Sequence, residues 1–439
     1  MSTPIIGLVS IGGILLLIQA GMPIAIALMV VCFVSAWAIM GSIAIAGNLV
    51  FLSAAESISS YTFGVIPLFM LMGLLISVSE VGKDTFSVAS QVFRRLRGGV
   101  GMATVAANAV FAAVTGTSIA SAAVFSRIAV PEMMRLGYAP RFSVGVVAGS
   151  SVLGMLIPPS LLMIIFGVIA GVSIGDLFTA GILPGLLLTF CYILLISGMV
   201  RFTPGFVGER PSRPIDGAAE VDLMPLPELL TKLIPIVILI LLILGGIYGG
   251  IFTPTEAGAA GALGALLIAI ARRRLTLRRF WQVLTEAGHV TASISILLIG
   301  AHMYSRMLAL SGLPSEVANW AINFSVGSDG ILVLYLIAVI MLGTILDAVA
   351  ILLILVPLAL PALEAQNVNL IWFGIMSVLA VEIGLLTPPL GLSCFVVKAN
   401  IGEAATLSDV FRGALPFAAT MAGVLAIIFI WPWFTTALL

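Results

Sequence analysis

The chain has 439 residues, of which 61% are hydrophobic and only 9% charged, and its formal net charge at neutral pH is zero. A soluble domain carries about 25% charged residues, so the composition excludes a water-soluble globular protein, and the balanced charge excludes a global footprint for nucleic acid. Apolar segments of about 20 residues recur from end to end, the length of a helical crossing, which excludes a barrel of short alternating strands.

In chain order, spans are predicted at about 5–20, 23–40 and 61–80, separated by Gly, Pro and polar breaks. No basic residue precedes the first of them, so it reads as a span, not a signal peptide. Residues 43–58 are apolar but short and end at Glu56, which suggests a partial or interfacial segment. The stretch 83–97 sets Phe86, Val88, Val92, Phe93 and Leu96 against Arg94, Arg95 and Arg97, the pattern of an arm lying along the bilayer surface. Two short apolar pieces follow, 100–114 and 119–134, hinged at Thr115–Ser118. Each is too short for a full crossing, so residues 100–135 are expected to dip in and return as a re-entrant hairpin. A long apolar run, 141–171, is interrupted at Pro158-Pro159, and 177–200 closes the first half.

Residues 201–230 hold Arg210, Arg213, Asp216, Glu220, Asp222 and several prolines, and read as an extramembrane linker. The second half, 231–439, opens with spans at 233–251, 255–271 and 288–310, with a basic cluster from Arg272 to Arg279 before the third. A polar arm, 314–329, leads to a second hairpin over 331–361, hinged at Gly343-Thr344. The run 369–397 is interrupted at Pro388-Pro389, and 411–436 finishes the chain. Cys32, Cys191 and Cys394 lie in separate apolar segments without metal-ligand spacing and read as small buried hydrophobes.

The halves match in order. Pro23 pairs with Pro254, Gly116-Thr117 with Gly343-Thr344, Pro131 with Pro357, Pro158-Pro159 with Pro388-Pro389, Asp176 with Asp409 and Pro184 with Pro416. The offset stays near about 230 residues throughout. Each half holds five crossings and a hairpin. Five is odd, so the second copy starts on the opposite side, giving the inverted repeat of many secondary transporters. With the amino terminus outside, nearly every Lys and Arg falls on the cytoplasmic side, as the positive-inside rule asks. Arg127 and Arg306 alone stay within apolar segments. The first hairpin then enters from the cytoplasm and the second from outside.

In hydrocarbon a broken helix persists only where it is buried or lines a polar cavity. At a hairpin tip, unpaired carbonyls can coordinate a hard cation such as Na⁺, and helix N-termini favour an anionic group. Thr115, Thr117 and Ser118 add hydroxyls, and each Pro-Pro removes two backbone donors, freeing carbonyls upstream. Ionisable residues at such depth are functional by default. Asp347, one turn after the second tip, can meet a cation, a substrate hydroxyl or an Arg. Glu256, in Thr253-Pro254-Thr255-Glu256, suits either a helix cap or a functional role. Glu382 can support the nearby break or cap a helix; Arg127 and Arg306 can pair with acids or snorkel, and Arg306 is also a candidate partner for a substrate anion. His289 and His302 are isolated and read as polar packing. No P-loop, HExxH, GxSxG or GxGD pattern is present, so no enzyme activity is expected and the energy must come from an ion gradient or a partner.

Several runs together carry a family resemblance: Thr115-Gly116-Thr117-Ser118 through Ile128-Ala129-Val130-Pro131-Glu132-Met133 to Gly137-Tyr138; Leu156-Ile157-Pro158-Pro159-Ser160; Phe252-Thr253-Pro254-Thr255-Glu256-Ala257-Gly258; Gly343-Thr344-Ile345-Leu346-Asp347; and Glu382-Ile383-Gly384-Leu385-Leu386-Thr387-Pro388-Pro389-Leu390-Gly391. They cover nearly the whole chain, which resembles the large membrane subunit of tripartite ATP-independent periplasmic (TRAP) transporters. The resemblance implies an all-α polytopic protein of the bacterial inner membrane: an elevator-type, inverted-repeat Na⁺ symporter with a scaffold and a mobile body built from both hairpins. It implies two partners, a small four-helix membrane subunit and a periplasmic substrate-binding protein. It also implies a small organic acid as solute, such as a dicarboxylate, sugar acid or sialic acid, and no cofactor beyond Na⁺ as coupling ion. Carried over by residue, one Na⁺ site uses Thr115, Gly154, Ile157 and Pro159, mainly through carbonyls, and its mate uses Gly343, Gly384, Thr387 and Pro389. Thr117, Ser118 and Asp347 would face the substrate. The chain departs from many relatives at the first tip, with Thr115, Ser118 and Ile119 where Ser, Gly and Pro are common. A passive channel and a non-transporting membrane scaffold are the rival readings of the same paired breaks.

Overall fold

The computed structural model describes residues 2–59, 61–208, 224–323 and 327–439, and these are helical almost throughout. The first half begins with α1 (Thr3–Gln19), α2 (Ile24–Met40), α3 (Ile43–Ser59), α4 (Val65–Val78) and α5 (Val81–Phe93). The pair α6 (Gly99–Thr115) and α7 (Ser118–Arg135) comes next, then the broken run of α8 (Pro140–Ser151), α9 (Leu153–Leu156) and α10 (Leu161–Ala170). Long α11 (Ile174–Phe202) and one turn, α12 (Pro204–Val207), end this half.

The second half opens with α13 (Leu226–Ile240), which continues through a π turn into α14 (Gly246–Tyr248). After it come α15 (Pro254–Ala271), α16 (Leu277–Ser311) and α17 (Leu313–Asn323). The pair α18 (Ser328–Gly343) and α19 (Ala348–Glu364) precedes a second broken run, α20 (Leu370–Leu386) and α21 (Leu392–Ile401). The chain ends in α22 (Leu407–Ile430) and the turn α23 (Trp433–Thr436). Among the described residues, five helices are each long and apolar enough to cross a membrane, or up to seven if two bent pairs count as single spans. The bends are 64° between α4 and α5 and 40° between α8–α9 and α10.

One of these expectations changes and another gains detail. Residues 43–58, expected as a partial or interfacial segment, form α3, a helix of 17 residues packed on α2 and α16. Its Glu56, which looked like a terminus, forms an ion pair with Arg306 of α16. The span expected from 288 starts at Leu277, because Thr276 accepts a hydrogen bond from Arg279 N (3.3 Å) and caps a 35-residue helix that takes in Arg278 and Arg279. Of the linker, Arg210, Arg213, Asp216, Glu220 and Asp222 lie outside the described residues.

Packing pairs each half with the other. α4 lies along α15, and α2 lies along α16. Small residues let these helices approach, as they must where lipid supplies no hydrophobic drive between helices. A Cβ on Gly258 would stand 3.1 Å from Leu68 and one on Gly261 2.6 Å from Met72. The closest join is between α8 and α22, where a Cβ on Gly145 would fall 2.3 Å from the Gly413 carbonyl. The arm α5 is tied to the end of α15 by two ion pairs, Asp84 with Arg272 and Glu80 with Arg274, the latter at 3.1 Å.

The order of elements recurs. Pro131 and Pro357 lie inside α7 and α19, and Pro184 and Pro416 inside α11 and α22. Asp176 and Asp409 sit in the first turns of α11 and α22, behind the capping hydroxyls of Ser173 and Thr406.

Candidate functional site

The first helix pair turns at Gly116, whose φ of +67° is a left-handed conformation that only glycine adopts without strain. Thr117 caps the returning helix, its hydroxyl accepting from Ala120 N at 3.4 Å. The tip is seated in the break of the next run. Leu161 N, just past Pro158-Pro159, donates to the Gly116 carbonyl at 3.1 Å. A Cβ on Gly154 would come within 2.5 Å of the Thr117 carbonyl, so glycine is what lets α9 lie against the tip. The usual helical donor to the Gly154 carbonyl is residue 158, and a proline there has no N–H. The Ser160 hydroxyl donates to the Met155 carbonyl, whose own helical donor would be Pro159.

The second pair repeats this arrangement with different residues. Leu390 N, just past Pro388-Pro389, donates to the Thr344 carbonyl at 3.0 Å. Gly343 and Gly384 meet backbone to backbone: a Cβ on Gly384 would be 2.5 Å from the Gly343 Cα. Thr387 N donates to the Gly384 carbonyl at 3.0 Å, and the Thr387 hydroxyl to Ile383 O at 2.7 Å. Both Pro-Pro bonds are cis.

The tips differ in cover. Pro158, Pro159 and Ser160 are buried, whereas Pro388, Pro389 and Leu390 are exposed. Over the first tip lies α4, where a Cβ on Gly73 would stand 2.7 Å from the Thr115 carbonyl. A cavity of about 10 Å³ remains there, lined by Met72, Thr115, Gly116, Thr117, Pro159 and Ser160. That is about the space one water centre requires.

The structure thus brings Thr115, Thr117, Gly154, Ile157 and Pro159 to one place and Gly343, Gly384, Thr387 and Pro389 to another. The Thr115 hydroxyl donates to Phe111 O at 2.9 Å, which leaves its lone pairs to accept or coordinate. Asp347 is not a turn beyond the second tip but at it. As N-cap of α19 it accepts from Val349 N (3.0 Å) and Ala350 N (3.1 Å), both through Oδ1.

Ser118 and Glu382 connect the two places: the Ser118 hydroxyl donates to Glu382 Oε1 at 2.7 Å, and both residues are buried. Arg306 is not among these residues, since its guanidinium is held by Glu56 on the α3–α16 surface. Glu256 is exposed and closes a capping box with Thr253, accepting from Thr253 N at 2.8 Å. Arg127 donates to Asn400 Oδ1 at 2.9 Å, tying α7 to α21, and the His302 ring lies 2.8 Å from the Ser57 hydroxyl.

Two contributors were not picked out from sequence, Gly73 and Ser160. A lone glycine inside the apolar run of α4 is a signal for close backbone approach that applies to Gly73. Ser160 follows a helix break and precedes an apolar run, the position of an N-cap, and it accepts from Met163 N at 3.4 Å.

Chemically, each place offers neutral backbone and hydroxyl oxygens beside the N-terminus of a helix. That set suits a desolvated hard cation with an anionic group close by.

Known proteins resemble this chain in sequence and in fold. Residues 11–434 match the family model described as "Tripartite ATP-independent periplasmic transporter, DctM component". The chain is 33% identical over 363 residues to the C4-dicarboxylate TRAP transporter large permease protein DctM of Pseudomonas aeruginosa, covering 82% of each. It is 30% identical over 430 residues to the sialic acid TRAP transporter large permease protein SiaM of Vibrio cholerae, covering 98% of this chain and 97% of that one. In fold it is similar to the crystal structure of the YdaH transporter of Alcanivorax borkumensis, with a TM-score of 0.61, 17% identity and 90% of each chain covered.

Proposed function

Because this chain belongs to the DctM family, the large permease component of TRAP transporters, we propose that it imports a small organic acid together with Na⁺ across the bacterial inner membrane. The observation that carries the reading is the doubled seat: each hairpin tip hands a backbone carbonyl to the chain just past a Pro-Pro break, at Gly116 and again at Thr344. One such kink serves packing as well as transport. Two, arranged alike in both halves, suit a pair of ion sites.

In this reading Thr115, Gly154, Ile157 and Pro159 hold one Na⁺, mainly through carbonyls. Gly343, Gly384, Thr387 and Pro389 hold the other. Neutral oxygen ligands let the ion leave again, because no fixed carboxylate charge binds it tightly. Thr117 and Asp347 face the solute, Ser118 stands behind Thr117 with its hydroxyl engaged by Glu382, and the N-termini of α7 and α19 turn their positive ends to the solute carboxylate. A dicarboxylate and a sialic acid, named for the two relatives above, share that group.

The halves act as an inverted repeat with the amino terminus periplasmic and the 201–230 linker cytoplasmic, so the hairpins are re-entrant from opposite faces. α1–α4 and α13–α16 form the scaffold. The hairpins and broken runs form a body that moves as an elevator. The arms α5 and α17 join the two. A small four-helix membrane subunit and a periplasmic binding protein complete the system, the latter delivering solute, and Na⁺ is the coupling ion.

The test is uptake into proteoliposomes holding this chain and the small subunit, with the solute-loaded binding protein outside. An inward Na⁺ gradient should drive accumulation that stops when the gradient is collapsed. Uptake indifferent to the gradient overturns the reading.

A further inference from the structure

We propose that the hydrogen bond from Ser118 to Glu382 couples the two ion sites, so that Na⁺ at one tip raises the affinity of the other. The proposal rests on the two-site reading above and adds a residue pair that joins the sites.

Glu382 lies in α20 with 1% of its surface exposed, two residues before Gly384 and five before Thr387. Ser118 is the first residue of α7, fully buried, and directly follows Thr117. One contact of 2.7 Å therefore connects the turn that presents the second site's carbonyls to the tip that presents the first site's. These groups stand 264 residues apart in sequence. The other carboxyl oxygen, Glu382 Oε2, is buried without a hydrogen-bond partner among the described residues. A carboxyl at that depth, held by a single hydroxyl, costs more free energy than an apolar side chain would. Packing therefore does not account for it.

The bond also breaks the symmetry of the repeat. About 230 residues before Glu382 stands Val152, and about 230 after Ser118 stands Ile345. Neither side chain can donate or accept, so the reciprocal bond does not exist. Among the described residues, this pair is the side-chain hydrogen bond that joins the first tip to the helix leading into the second break.

The mechanism is pre-organisation. An ion bound at Gly384 and Thr387 fixes the last turn of α20 and with it the Glu382 side chain. Glu382 then holds Ser118, and so the Thr117 cap and the tip carbonyls, in the arrangement the first ion needs. The first site no longer bears the entropic cost of ordering its tip. By linkage the effect is reciprocal: an ion at the first tip strengthens the second site equally.

The experiment titrates Na⁺ against thermal stabilisation of the full chain in lipid nanodiscs, without solute and at constant ionic strength. Wild type should respond with a Hill slope near two. Glu382→Ala and Ser118→Ala should each bring the slope close to one and raise half-saturating Na⁺ by about 5-fold or more, the usual lower range of coupling between sites. The double variant should be no worse than either single one. Glu382→Gln should restore the slope, because its amide oxygen still accepts from Ser118.

A merely structural role would lower the melting temperature at every Na⁺ concentration and leave the slope alone. An unaltered slope in Glu382→Ala or Ser118→Ala overturns the coupling. A Glu382→Gln variant that behaves like Glu382→Ala assigns the effect to charge and overturns the hydrogen-bond mechanism. A wild type with no response to Na⁺ overturns the two-site reading itself, before any variant is compared.

Discussion

Asp347 has a capping role and a proposed transport role that a substitution can separate. Its Oδ1 caps α19 by accepting from two backbone N–H groups, while Oδ2 is left over at the second tip. Asparagine caps a helix about as well as aspartate, and alanine loses about 1 kcal/mol. Asp347→Asn should therefore keep its melting temperature close to wild type and lose most uptake, while Asp347→Ala loses both. Full uptake by Asp347→Asn would leave the residue with capping alone. At this scale the sequence was informative about chemistry and poor about partners. The hydroxyls and carboxyl of Thr115, Thr117 and Asp347 were legible because the breaks beside them were. Arg306, set among apolar neighbours, read either as paired with an acid or as a partner for a substrate anion, and the structure shows the first. The Glu56 that holds it is 250 residues away in sequence, and no local pattern reports such a pairing.

For the elements, caps and breaks were the reliable signals. Thr253, Pro254 and Glu256 mark the start of α15, and the structure closes the capping box that this spacing suggests. Glu256 is exposed and fully engaged with Thr253, so Glu256→Ala should lower thermal stability modestly and leave Na⁺-driven uptake intact, measured on the same proteoliposomes. A large loss of uptake without loss of stability would return Glu256 to the transport site. Elements whose ends lack caps were harder to read. α3 ends among Ser and Glu residues that resemble a loop, yet it stays helical because it packs on α2 and α16. α16 starts among arginines for a related reason: long basic side chains tolerate a helix that emerges from the membrane.

At the scale of the molecule, the proposed inversion makes a statement about sides. Ile251, just before α15, and Arg278, in the first turn of α16, are both exposed, with α15 between them. In a background lacking the three native cysteines, Arg278→Cys should react with an impermeant maleimide only from the cytoplasm, and Ile251→Cys only from the periplasm. Labelling of both from one side would end the topology. The parity of the crossings is drawn from hydropathy and charge, and this labelling tests it. The pairing of α4 with α15, and of α2 with α16, was not legible in the sequence, because helices facing lipid and helices facing each other share one apolar alphabet.

The backbone contact between Gly145 in α8 and Gly413 in α22 has a consequence for biosynthesis. Among the described helices, α22 is the last long one to leave the ribosome, and its seat on α8 has been waiting in the membrane for most of translation. Neither helix can be replaced there by a neighbour, since any side chain at these two positions would collide with main chain. The join therefore forms only once α22 has been made, long after α8. A chain stalled before residue 407 therefore leaves the seat of α22 along α8 uncovered, with Gly145 at its centre.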